Sequence, residues 1–312
     1  MNLKDQFMRY WWQQLTTKDC DPCVHALKYL CDRMELNREQ RYWLCWLYAN
    51  TYNVATAWVL FNEFPDYHLA DPLDIEEFES ANKSRLPYQK DQKWLRGCLH
   101  QTTASYQELV GDSQHDFFAK YDGDFKPLWL AANSVFKVGR YTAWMWLQAI
   151  KEVCGVEIEP TDLMLGASSS KMHRSALAKV AGSNELVELN SMGAEILRDM
   201  RAQFGGKVGG MSVDYFAMET SLCAFSKLFR VKQGRYLGFY LDRWADDIVK
   251  LEKAGWNGIR WQLLWQCRTE ILAPVFDRIT GVDKSQYDVF LNTGEFTTDY
   301  NTQHALNEIW ER

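Results

Sequence analysis

Apolar residues recur three and four positions apart along most of this chain, and no long stretch alternates polar and apolar side chains. That periodicity specifies helices and leaves little room for a sheet. Arg38–Phe64 is the clearest case. Trp43, Leu44, Leu47, Tyr48, Val54, Ala55, Trp58 and Val59 fall on one helical stripe, and Pro65, which has no amide to donate, stops it. Further helices are predicted at 24–31, Asp74–Asn82, Lys90–Leu99, Tyr106–Tyr121 and Pro127–Phe136, and Arg140–Cys154 ends at a capping Gly155. Met172–Ala181, Glu185–Gln203, Tyr215–Arg230, Tyr240–Ala254 and Trp261–Ile279 continue the pattern. The strand-like runs are only Tyr236–Tyr240 and Val289–Leu291, and Gly205–Gly210 is the strongest breaker. The expected fold is mostly α: one two-lobed helical domain over residues 1–280, with a polar surface tail at 281–312.

Bulk properties narrow the function. The 47% hydrophobic content supports a packed core and excludes disorder. The 14 tryptophans either pack helices together or give a nucleic-acid base something to stack on. A protein that coats DNA is usually basic, so a net charge of −6 weakens a nucleic-acid reading without excluding it, and any DNA contact has to be local. Met1–Gln6 lacks the apolar core of a signal peptide, and no run of 18 apolar residues offers a membrane span. The expectation is a cytoplasmic protein with no membrane partner. Most of the eight cysteines sit in apolar helical surroundings and read as reduced thiols. Cys20-x-x-Cys23-x-His25 with Cys31 groups soft ligands but matches no common zinc spacing, so no metal and no cofactor are expected.

The string Ser134-Val135-Phe136-Lys137-Val138-Gly139-Arg140-Tyr141-Thr142-Ala143 lies between two of these helices. It resembles the helix-hairpin-helix of helical DNA glycosylases, spanning here about residues 128–155, and implies a fold of that type. In such an element Gly139 offers a backbone conformation closed to larger residues and lets a phosphate approach. The amides of Val138, Gly139 and Arg140 open a helix and point at the phosphate, helped by the helix dipole. Lys137 and Arg140 add charge, and Thr142 belongs to the same string. An ordinary helix–helix turn is the plain alternative. Glycosylases of this kind carry an Asp beyond the next helix, and Asp162 stands there, just after Pro160. It either stabilises a developing cation or caps a turn.

Four strings narrow the resemblance: Tyr42–Asn53 with Trp58, Phe136–Trp144, Glu219–Lys227 and Tyr236–Asp247. Together they resemble the phage amino acid:DNA transferases, also called the α-glutamyl/putrescinyl thymine pyrophosphorylase group, over about residues 38–275. That family is related to the helical domain of phage 5-hydroxymethyluracil DNA kinases. The resemblance implies that an amine, either an amino acid or a polyamine, displaces pyrophosphate from activated 5-hydroxymethyluracil in double-stranded DNA. A kinase would need Gly-x4-Gly-Lys-Ser/Thr, and Gly205–Gly210 has no Ser or Thr after Lys207.

Such chemistry needs a base taken out of the stack, with aromatic groups to receive it. Tyr48, Tyr52, Trp58 and Trp144 are candidates, with Asn53 beside them. The leaving pyrophosphate needs cations; Lys171 and Arg174 follow a Ser-rich loop, and Lys227, Arg230 and Arg243 form a second set. The attacking amine must lose a proton, and Asp162 or Glu219 is a candidate base. Glu219 sits in an apolar helix, two turns before Lys227, and should have a partner. Asp242 and Arg243 with Asp246 and Asp247 form i, i+4 pairs that also suit a solvated face. A glycosylase and a non-catalytic DNA-binding subunit are the competing readings.

Overall fold

The computed structural model describes residues 2–16, 18–88, 95–226 and 241–276. These residues are mostly helical, with a single pair of two-residue strands among them. Lys227, Arg230, Tyr236–Tyr240, Val289–Leu291, residues 281–312 and the start of the expected Lys90–Leu99 helix lie outside them. Asp242 and Arg243 fall on a described helix, but their side chains lie outside the description. The chain divides into two compact units: Met1–Pro22, Pro160–Tyr240 and Arg268–Arg312 form one, and Cys23–Glu159 with Leu241–Cys267 the other. They are called the first and second units below.

The second unit begins with α2 (Pro22–Arg33), α3 (Arg38–Thr51) and α4 (Val54–Glu63). The expected continuous helix Arg38–Phe64 is therefore broken in the middle. Tyr52 takes a left-handed conformation (φ 44°), and the Asn53 side chain accepts from the Thr56 amide to start a new helix. α5 (Pro72–Asn82) precedes α6 (Leu99–Val110) and α7 (Gln114–Ala119), which replace the expected Tyr106–Tyr121 helix. Gly111 at φ 74° ends α6, and the Ser113 side chain caps α7. The polar run Gln101–Thr103 is helical after all, because Thr102 and Thr103 are buried in the core. α8 (Phe125–Ser134) and α9 (Arg140–Ala149) follow, and α9 ends in a π-turn at Ile150–Cys154 closed by left-handed Gly155, as expected. α13 (Leu241–Lys253) and the opening of α14 (Trp261–Phe276) complete this unit.

Its core is aromatic. Trp46 stacks on Tyr106 at 4.2 Å, and Trp146 meets both rings edge-on. Phe118 closes against Trp146 and stacks on Tyr42 at 4.8 Å. Each such ring contributes roughly 2–3 kcal/mol by burial alone.

The first unit joins α1 (Leu3–Thr16), α10 (Lys171–Ala181), α11 (Leu186–Phe204) and α12 (Tyr215–Phe225). Phe225 packs against Phe7 and Tyr10, and Trp12 against Phe204. The glycine-rich breaker is a tight hairpin: β1 (Lys207–Val208) pairs antiparallel with β2 (Met211–Ser212) around Gly209 and Gly210, at φ 61° and 90°. A Cβ on Gly209 would stand 1.9 Å from the Leu15 carbonyl oxygen at the end of α1. This glycine serves close backbone packing and not a phosphate.

Candidate functional site

The hairpin string forms the connection between α8 and α9. The Phe136 amide donates to Ser105 Oγ at 3.0 Å, which pins the turn to α6. The residue in the left-handed conformation is Lys137 (φ 57°), and Gly139 is extended (φ −103°). The expectation that Gly139 is needed for its backbone freedom is thus corrected. A Cβ there would meet open space, and the exposed Gly139 amide has no hydrogen-bond partner among the described residues. Val138 is buried, and its amide already donates to the Val135 carbonyl at 3.0 Å, so it is not available to a phosphate. Arg140 is buried with its guanidinium over the Trp144 ring at 4.8 Å, and Thr142 is buried too. The turn exposes Phe136, Lys137, whose ammonium sits over the Phe136 ring at 5.7 Å, and the Gly139 amide.

The expected base platform is largely core. Tyr48, Trp58 and Trp144 are at most 1% exposed. Trp58 stacks on Phe61 at 5.6 Å, and Trp144 packs edge-on against Trp129. These rings pack helices and are closed to a base. Tyr52 is half-buried, with Tyr141 edge-on at 5.5 Å. Asn53 is a helix cap that also donates to Asp247 Oδ2 at 2.8 Å, tying α4 to α13. Asp247 in turn accepts from Lys250.

The first unit is different in kind. α1 is buried over Gln6–Leu15, and that run includes Gln6, Arg9, Gln13 and Gln14. Asp19 and Asp21 are buried beyond it, and Asp214 is buried as the cap of α12, accepting from the Ala217 amide at 3.0 Å. The Cys20 thiol donates to the Ala217 carbonyl at 3.4 Å and lies 3.5 Å from Ser221 Oγ. Burial, with the charges of Asp21, Asp214 and Asp19 added, pushes its pKa well up, so Cys20 is a neutral thiol. Along α12, Glu219 is 4% exposed, and its carboxylate lies 3.5 Å from His173 Nδ1 on α10. Cys223, one turn further along α12, places its sulfur 3.9 Å from the same nitrogen. Burying this many charged and titratable groups costs free energy that an apolar core would not. Such clusters concentrate where chemistry is done.

Lys171, exposed, and Arg174, half-buried, lie in the first turn of α10 beside His173 and form no ion pair among the described residues. Asp162 is half-buried, and its Oδ1 accepts from the Met164 amide at 2.6 Å, the geometry of a turn-forming aspartate. Among the described residues, His173, Glu219 and Cys223 are the one set of His, Cys, Asp or Glu whose ligand atoms converge. Cys20, Cys23, His25 and Cys31 do not form such a set.

The profile of the amino acid:DNA transferases matches residues 15–233. The chain belongs to the amino acid:DNA transferase family. It is therefore a transferase acting on DNA, with DNA and an amino acid as its substrates. A protein described as a serinyltransferase, from Salmonella phage ViI, is 26% identical over 300 residues, covering 82% of this chain and 71% of that relative. No helix among the described residues is long and apolar enough to cross a membrane.

For an amino acid:DNA transferase, sequence reasoning found one member of the buried polar layer, Glu219, and missed His173, Cys223, Arg9, Asp19 and Asp21. One signal was present. Glu219 and Cys223 are four apart on a helix and so share a face. His173 stands between Lys171 and Arg174, whose charges mask it in the sequence.

Proposed function

We propose that this transferase joins an amine to activated 5-hydroxymethyluracil in double-stranded DNA. The amine nitrogen bonds to the exocyclic carbon as the carbon–oxygen bond to pyrophosphate breaks. Pyrophosphate leaves with the electron pair, and the amine loses one proton to a carboxylate. The observation that carries this reading is the buried layer of the first unit, in a chain of the amino acid:DNA transferase family. Glu219 lies there beside His173, with Asp19 and Asp21 also buried. Asp162 is the weaker candidate base, because one of its oxygens is engaged with the Met164 amide. Lys171 and Arg174, at the opening of α10, suit the departing anion. The exposed Lys137 and Gly139 amide suit a DNA phosphate, which makes the α8–α9 turn the helix-hairpin-helix of this reading. Serine is the first amine to try, from the description of the phage relative.

The test is incubation with DNA bearing the pyrophosphate ester and a panel of amines, followed by digestion and nucleoside mass analysis. A mass gain matching the amine less water relative to the hydroxymethyl nucleoside, with pyrophosphate released, is expected. No mass change with any amine would sink the reading, and abasic sites would replace it with a glycosylase.

A further inference from the structure

We propose that His173, Glu219 and Cys223 form a three-ligand site for a zinc-class divalent cation, with a further position left open. The site is built by two packed helices of the first unit. His173 comes from the first turn of α10, and Glu219 and Cys223 from successive turns on one face of α12. His173 Nδ1 lies 3.5 Å from Glu219 Oε1 and 3.9 Å from Cys223 Sγ. The three ligand atoms all fall within 4.8 Å of one another.

The nitrogen–oxygen distance fits an ion better than it fits a hydrogen bond, and the nitrogen–sulfur distance suits either. A tetrahedral zinc, with bonds of about 2.0–2.2 Å to nitrogen and oxygen and about 2.3 Å to sulfur, sets nitrogen and oxygen roughly 3.3 Å apart and nitrogen and sulfur roughly 3.6 Å apart. The observed separations exceed those values by only a few tenths of an ångström. An N–H···O hydrogen bond is normally 2.7–3.2 Å, and 3.5 Å lies outside that range. One imidazole nitrogen also faces both partners, and a single proton on it cannot point at both.

Charge and donor chemistry agree. A carboxylate, a thiolate and a dication sum to zero, so the loaded site is electrically neutral where Glu219 and His173 are buried. Mixed nitrogen, oxygen and sulfur donors select a borderline metal such as zinc over magnesium or calcium, which take oxygen. Three protein ligands with an open position are the arrangement of zinc sites that do chemistry. Cys223, the least buried of the three, leaves the site reachable. If the transfer reading above holds, the open position receives an oxygen of the leaving pyrophosphate. Glu219 is then a ligand, and the amine's proton goes to the other candidate base, Asp162, whose second carboxylate oxygen is not the one bonded to the Met164 amide.

The test uses the full chain, stripped with a chelator and titrated with Co²⁺. One equivalent should bind, with a thiolate-to-cobalt charge-transfer band. Cys223→Ser should abolish that band, His173→Ala and Glu219→Gln should weaken binding at least about tenfold, and Cys154→Ser in the other unit should leave the band intact. If Cys223→Ser fails to fold, the change in the cobalt spectrum of Glu219→Gln reads the same site. Failure to take up a stoichiometric ion, or a band that survives in folded Cys223→Ser, would overturn the proposal. Cobalt uptake and nucleoside mass are separate readouts. An ion bound without product therefore overturns the transfer reading and upholds the site.

Discussion

Two buried glutamates, one in each unit, have opposite surroundings. Glu79 in the second unit is 2% exposed, and its oxygens accept from the Gly97 amide, the Leu99 amide and the Tyr88 hydroxyl. It caps the start of α6. Glu219 in the first unit is nearly as buried, but beside it lie an imidazole and a thiol, groups that titrate and ligate. The contrast extends to the cores around them. In the second unit, Asn50 at the aromatic core bonds to the Trp46 carbonyl and Thr102 to Asn50, while the Gln148 side-chain amide is buried with no hydrogen-bond partner among the described residues. In the first, Arg9, Asp19 and Asp21 are buried, and the charges of Asp19 and Asp21 act on the thiol of Cys20, which donates to α12. One unit uses buried polarity to fix helices, and the other concentrates reactive groups.

The comparison can be broken at several points. Trp146→Ala should cost about 4 kcal/mol in denaturant unfolding, since the ring is fully buried and the surrounding aromatics cannot collapse onto the gap. A loss below about 1 kcal/mol would mean that the second unit's core is less rigid than its ring geometry implies. Gly209→Ala should cost about 3 kcal/mol, because a methyl group would collide with the Leu15 backbone at a positive φ. A near-neutral result would show that the end of α1 moves aside easily.

Smaller effects sharpen the division of labour. Gly139→Val should fold normally, since open space awaits its side chain, and should weaken DNA binding about tenfold, or ~1.4 kcal/mol. Equal binding by filter or anisotropy assay would reduce the α8–α9 turn to a structural element. The smallest effect concerns Glu39. Burial pushes its carboxyl up, but the His115 amide, the Gln114 side chain and amide, and Ser113 outweigh it, so its pKa lies below the ordinary value of 4.5. A carboxylate lowered on folding adds stability above its unfolded pKa and loses it as pH falls through the folded one. Acid unfolding below about pH 4.5 should therefore be shallower in Glu39→Gln than in the parent chain, and identical pH profiles would remove Glu39 from the account.

Much of the helical architecture was legible because the 3.6-residue period survives burial, and Gly155 closes its helix as read. The break at Tyr52–Asn53 was hidden because the apolar stripe continues across it while a side-chain cap restarts the helix. Of the site, the carboxylate at 219 was legible from its apolar neighbours. His173 and Cys223 were not, because their meaning depends on α10 packing against α12, a pairing no local pattern encodes. Tyr48, Trp58 and Trp144 read as stacking candidates but are core rings, for a related reason. An aromatic at helical spacing reads the same whether it faces a core or a ligand.

The most direct measurement is the single-turnover rate of Glu219→Gln at saturating DNA, with serine as the amine, beside its DNA affinity. The rate should fall at least about a hundredfold, or ~2.7 kcal/mol, while DNA affinity stays within about twofold. An unchanged rate in the folded variant would contradict the claim that the chemistry resides in the buried layer of the first unit.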